Sequence, residues 1–264
     1  MTSLTKKLGC ATFLAATCLS TTATAQGLFG SSPAEDSFYV SAFVGAGFAG
    51  DSSFSGTQNP DPAIPATVGG SVAGAAAEVD ISYDTDIYFG GAIGYQLPFQ
   101  FWNLFHPRIE LEVSYLEADV DGGSFNGGNQ VFSGSQEALF IFANNFTDIK
   151  WREDQIVIPY IGGGFGVGII DTNAFYFPVG AAFAPAPAFA VTGEDTGFAT
   201  HTTIGATVAL TEQLEVYAEG RYLTTYGIGT ERRFLGGGTA DLFNSDLSDR
   251  PDGLTASAGV RFRF

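Results

Sequence analysis

The last eleven residues, 254–264 (LTASAGVRFRF), alternate so regularly that a strand is the natural reading. Leu254, Ala256, Ala258, Val260, Phe262 and Phe264 fall on one face. Thr255, Ser257, Gly259, Arg261 and Arg263 fall on the other. A tilted strand of this length crosses the hydrocarbon core of a bilayer. Set that way, lipid meets the apolar face and the interior of a closed barrel meets the two arginines.

The same sidedness recurs at 38–48, 86–95, 108–116, 138–146, 156–169, 198–210 and 214–223. In 108–116, Ile109, Leu111, Val113 and Tyr115 alternate with Arg108, Glu110, Glu112 and Ser114. In 156–169, Ile161, Phe165, Val167 and Ile169 oppose a row of glycines, Gly162 to Gly168 at every second position. The stretch 138–146 is less regular, because Asn144 and Asn145 are adjacent; its pattern places Leu139, Ile141 and Ala143 outward and Asn144 inward. Eight strands result, joined by connections that alternate in length. Long ones (50–84, 118–136, 171–195, 224–252) are separated by short ones (97–107, 148–154, 211–213). Short turns on one side and long loops on the other are the habit of membrane barrels.

Arg108, Glu110, Glu112, Glu215, Glu219, Arg221, Arg261 and Arg263 all lie opposite the aliphatic face. A lipid-facing arginine or lysine at mid-bilayer costs about 2–4 kcal/mol, so the distribution fits an outer face in lipid. A soluble sandwich or lipocalin-like barrel would turn the apolar face inward and crowd its solvent face with charge. Here the opposite face is largely Gly, Ser, Thr, Ala and Tyr, small enough for the narrow lumen of eight strands. The fold expected is all-β, an eight-stranded antiparallel up-and-down transmembrane barrel.

Lys6 and Lys7, an apolar run over 8–19 and Ala23-Thr24-Ala25 spell a secretory leader, so 1–25 is expected to be removed and 26–264 to form the barrel. The apolar run is too short to span as a helix. Both cysteines, Cys10 and Cys18, lie in that leader. Lipidation at Cys18 is the competing use, but Ala15-Ala16-Thr17 lacks the expected upstream aliphatic residue. Beyond the leader 28 acidic residues face nine basic ones, a field that opposes nucleic acid.

The strings GGAIGYQLP, RIELEVSYLEADV, PYIGGGFGVG, the run 214–223 and the closing VRFRF resemble the eight-stranded outer-membrane β-barrel family. This is the OmpA/OmpX-like barrel domain, also found in bacterial surface antigens. The resemblance covers nearly all of 38–264. It implies the bacterial outer membrane, contact with its lipids and lipopolysaccharide, and Phe264 as the mark read by the barrel-assembly machinery. It implies a structural or surface role, in envelope integrity, adhesion or antigen display, with a narrow porin-like channel for small solutes as the alternative. The chain departs from the pattern in its apolar third loop and in carrying no peptidoglycan-binding domain after the barrel.

The inward charges either pair and plug the lumen or line a small path through it. His201, with Thr203 and Glu219, resembles the His/Ser/acid set of barrel lipid hydrolases, but faces the lumen and carries threonine as nucleophile. A hydrogen-bonded interior histidine is the reading preferred, with no enzyme activity. His106 with Phe99, Phe101, Trp102 and Phe105 reads as an interfacial girdle. Asp119 and Asp121 lack the remaining ligands of a calcium loop, and Gly162–Gly164 precedes no helix that would make a phosphate cradle. No cofactor or metal is expected. The apolar stretch 175–189 reads either as an outer interaction site, for a partner or for lipid, or as a strand extension packed on neighbouring loops.

Overall fold

The computed structural model describes residues 37–58, 74–152, 154–177, 189–235 and 244–264. The expected leader, 1–25, and most of the apolar stretch 175–189 lie outside them. Twelve strands follow in order: β1 (Ser37–Ala49), β2 (Ser52–Gln58), β3 (Ala76–Tyr83), β4 (Thr85–Gln96), β5 (Phe105–Phe125), β6 (Gly128–Ile149), β7 (Val157–Phe177), β8 (Phe189–Ala209), β9 (Leu214–Tyr226), β10 (Ile228–Phe234), β11 (Ser245–Asp249) and β12 (Asp252–Arg263).

Antiparallel pairing runs β1–β4–β5–β6–β7–β8–β9–β12 and returns to β1, so the sheet closes on itself. The other four strands continue members of that ring across breaks of one or two residues. β1 passes into β2 at Gly50-Asp51, β3 into β4 at Asp84, β9 into β10 at Gly227, and β11 into β12 at Arg250-Pro251. They pair in a second ring, β5–β3–β2–β11–β10–β8, whose remaining staves are the upper halves of β6 and β7. The twelve segments therefore make eight long staves, four continuous and four broken at one level. Gly227, at φ +76°, takes a left-handed conformation that disfavours a side chain. Pro251 cannot donate to a ladder.

Following registered neighbours from Phe38 through Tyr95, Ile109, Asn145, Gly163, Thr202, Tyr222 and Leu254 leads back to β1 at Phe48, ten residues further on. Eight strands with that stagger tilt by roughly 35–45° and enclose only enough room for side chains. β5 to β8 run 21 or 22 residues, about twice what a tilted strand needs to span the bilayer.

The surplus length explains a change of sidedness part-way up each stave. In the lower tier, Phe38, Val44, Ile93, Ile109, Leu111, Ile141, Phe165, Ile204 and Val260 point outward and are exposed. In the upper tier the outward positions carry Ser53, Glu78, Asp119, Ser133, Asp171 and Glu194. There the interior is apolar, with Phe54, Val79, Ile81, Phe132, Ile170, Tyr176, Val191, Ile228 and Leu247 buried in one cluster. The lower tier is built for hydrocarbon outside; the upper tier is built for water outside. The two share one wall.

Four expected loops are thus corrected. β2 and β3 occupy parts of 50–84, the hairpin of β5 and β6 fills 118–136, β7 and β8 extend into 171–195, and β10 and β11 occupy parts of 224–252. Asp148, expected in a turn, is the penultimate residue of β6 and faces inward. Asp119 and Asp121 stand in β5 beside a bulge and not in a loop. His106 is 6% exposed, so it leaves the girdle, whereas Phe99, Phe101 and Trp102 stay exposed at the turn.

Candidate functional site in the barrel interior

The lower lumen gathers the charged residues that the alternation turned inward. Arg108, Glu112, Glu215, Glu219, Arg221, Arg261 and Arg263 are all buried, and the Glu110 side chain is 6% exposed. They sort into two groups. In the group nearer the turns, Arg108 bonds Glu110 and donates from Nε to Asp148 at 3.1 Å. The Tyr39 hydroxyl donates to Glu110 at 2.6 Å. Arg261 and Arg263 share Glu215, each at 2.9 Å, and Arg261 stands 3.7 Å from Glu110.

In the group above it, Arg221 grips Glu112 with two N–H donors at 2.5 and 3.0 Å and reaches Glu219 at 2.9 Å. Asn144 donates to Glu112 at 2.8 Å, and the Tyr160 hydroxyl donates to Glu219 at 2.8 Å. His201 Nε2 lies 2.8 Å from Asn144 Oδ1, and Nδ1 lies 2.9 Å from the Thr203 hydroxyl. Because the Asn144 amide nitrogen already donates to Glu112, its oxygen accepts from His201, which fixes Nε2 as the protonated nitrogen.

Aromatic rings fill what the ion pairs leave. Arg108 lies over Phe146 at 4.3 Å and Tyr160 at 4.7 Å, and Arg261 lies over Tyr39 at 4.9 Å. Such large inward groups fit only because glycines face them across the lumen wall. A Cβ on Gly164 would stand 2.1 Å from Asn144 Oδ1, and one on Gly94 would stand 2.3 Å from the Tyr39 ring. The cavity left among Ser41, Phe43, Tyr217 and the charged side chains measures about 10 Å³, near the least that holds one water. Above it the apolar cluster closes the upper tier.

All eight charges singled out in the sequence enter this network; of the two acids on β9, the strand beside Arg261 and Arg263, only Glu215 pairs with them. Glu219 serves Arg221 and Tyr160 and not the arginines of β12, and Arg221 chiefly holds Glu112 across the lumen. Asp148 was missed, because a residue so near a turn has no visible alternation. The inward Phe140, Phe142 and Phe146 were missed too: they make that part of β6 apolar on both faces. Arg232, buried in the upper tier over Phe125 and Phe189 at 4.0 and 4.2 Å, sits in what read as a loop. His201 and Thr203 do meet, but Phe142 packs edge-on against the His201 ring at 4.7 Å and Glu219 is engaged elsewhere. His201, Thr203 and Glu219 therefore do not form a triad facing lipid.

The outer membrane protein OprG of Pseudomonas aeruginosa superposes with a TM-score of 0.53 at 14% identity, over 88% of this chain and 97% of that one. The chain has the fold of the outer-membrane β-barrels. OmpT of Escherichia coli, an outer membrane protease, superposes on the same barrel with a TM-score of 0.51 at 10% identity, over 86% of this chain and 97% of that one. A barrel of this fold is therefore compatible with catalysis in another chain. No protein-family profile and no curated protein matches the sequence.

Proposed function

We propose that this barrel sits in the bacterial outer membrane and serves a structural, surface-facing role, in envelope integrity, adhesion or antigen display, without catalysis. The observation that carries this reading is the filled interior: paired charges and rings below, an apolar core above, and a residual cavity of about 10 Å³ in the lower lumen. A solute path needs a continuous bore, and eight strands give side chains just enough room to fill theirs. The exposed apolar belt matches lipid, and the polar-walled upper tier rises beyond it as a stalk. Outer-membrane lipids and lipopolysaccharide are its neighbours in this reading, and an extracellular partner meets the upper tier. Phe264, whose backbone N–H donates to Phe38 at 3.0 Å, closes the seam between the first and last strands and serves as the assembly mark.

Planar-bilayer recording on the refolded protein tests the sealed lumen. Sporadic or no conductance is expected; steady single-channel currents would replace this role with that of a narrow channel.

A further inference from the structure

Among the described residues, two buried guanidinium nitrogens in the lower lumen have no hydrogen-bond partner, Arg221 Nε and Arg261 Nε. They belong to different groups. Arg221 centres the upper one with Glu112 and Glu219, and Arg261 belongs to the lower one with Glu110 and Glu215. No hydrogen bond or ion pair described above joins the two groups directly. The small cavity lies between them. Its wall takes Glu112, Glu219 and Arg221 from above and Arg108, Glu110 and Arg261 from below, with Ser41 beside them.

We propose that this cavity is a binding site for a single buried water, which joins the two ion-pair groups into one. The chemistry of the wall selects the occupant. Two N–H donors demand an acceptor, and the neighbouring carboxylates can accept a further donor. Water is both, whereas a halide only accepts and a metal cation offers nothing to an N–H. The paired groups, with Asp148, hold five carboxylates against four guanidiniums, which disfavours an anion further. The volume suits one molecule and no file of them. A buried water typically makes two to four hydrogen bonds, and this wall offers two N–H donors that would otherwise go without, with carboxylates beside them that can accept from the water.

The inference rests on the sealed interior only in requiring that the water exchange slowly. The test is a high-resolution crystal structure of the refolded barrel, paired with NMR of the arginine Nε–H groups in detergent micelles. One ordered water within hydrogen-bond distance of Arg221 Nε and Arg261 Nε is expected, with cross-peaks from both N–H groups to a long-lived water. Ser41→Leu, which fills the cavity, is expected to abolish both cross-peaks while heat-modifiable gel migration still reports a folded barrel. A dry cavity, or Nε atoms turned directly onto carboxylates, overturns the water site and leaves the plug standing. A chain of fast-exchanging waters together with bilayer conductance overturns both. Failure of Ser41→Leu to fold leaves the wild-type density and cross-peaks to decide.

Discussion

Glu215 shows most directly what one inward residue does for this barrel. It accepts from two arginines of the closing strand, and all three side chains are buried. Removing one member of a buried pair leaves an unmatched charge, which typically costs 3–5 kcal/mol. Glu215→Gln strands two guanidiniums at once, so a loss of about that size is expected in urea unfolding from lipid vesicles. An unchanged midpoint would mean that the network is ornamental. Asn145 presents the opposite case. It points outward among Phe38, Ile93, Leu111 and Phe165 at an apolar groove in the belt, and its amide meets no partner among the described residues. An amide without a partner in hydrocarbon costs a few kcal/mol at most on protein scales. Asn145→Leu is therefore expected to stabilise the barrel by about 1–2 kcal/mol, and destabilisation would indicate that something in the membrane bonds the amide. Both residues were legible to different degrees. Strict alternation around Glu215 declared its face, whereas the adjacent Asn144-Asn145 made the pattern of 138–146 less regular; the inward place it gave Asn144 is the one observed, with Asn144 buried and Asn145 exposed.

At the scale of the strand, the lower halves of the staves were readable because a face in lipid and a face on a lumen demand opposite residues. The upper halves were not, because their interior turns apolar and their exterior polar, and the pattern inverts without a break in the chain. A reader who follows one face sees the alternation dissolve and infers a loop. One signal could have prevented this. Asn126-Gly127, with φ of +48° and +74°, makes a two-residue turn between Phe125 and Gly128, and Asn-Gly is the strongest short hairpin signal. The inversion also leaves a mark on the outer wall. Glu117 faces Glu137, Glu137 faces Asp171, and Asp171 faces Glu194 in direct register across β5 to β8. Burial, and then the neighbouring carboxylates, hold Glu117 and Asp171 above the usual carboxylate range. A carboxyl whose pKa is higher folded than unfolded binds its proton more tightly in the folded state. Its contribution is full below the unfolded value and is lost as pH rises through the folded one. Stability is therefore expected to fall as pH rises from the unfolded carboxylate range towards neutrality. Glu137→Gln, which removes the neighbour common to both, should flatten that slope and gain about 0.5–1 kcal/mol at neutral pH. A slope untouched by the substitution would show that salt and water already screen the row.

For the whole molecule, the consequence of two tiers on one wall is that they need not yield together. The lower tier is tied by ion pairs and by the lipid around it; the upper tier is tied by an apolar core like that of a water-soluble protein. Four staves cross the boundary unbroken, and the other four change segment there, with Gly50 bonded to Asp252 at 2.8 Å and Thr225 to Pro251 at 2.8 Å across the break. Damage to the upper core should then travel along the broken side first, where β2, β3, β10 and β11 hold only each other and the edges of β5 and β8. Ile81, on β3, is fully buried in that core. Truncating a buried isoleucine to alanine costs about 2–5 kcal/mol. In Ile81→Ala, amide exchange is expected to accelerate in β2, β3, β10 and β11 while β1, β4, β9 and β12 keep wild-type protection. Equal acceleration in both sets would mean that the tiers unfold as one unit. The breaks would then be irregularities of the backbone, and the stalk could not loosen while its membrane base stays closed.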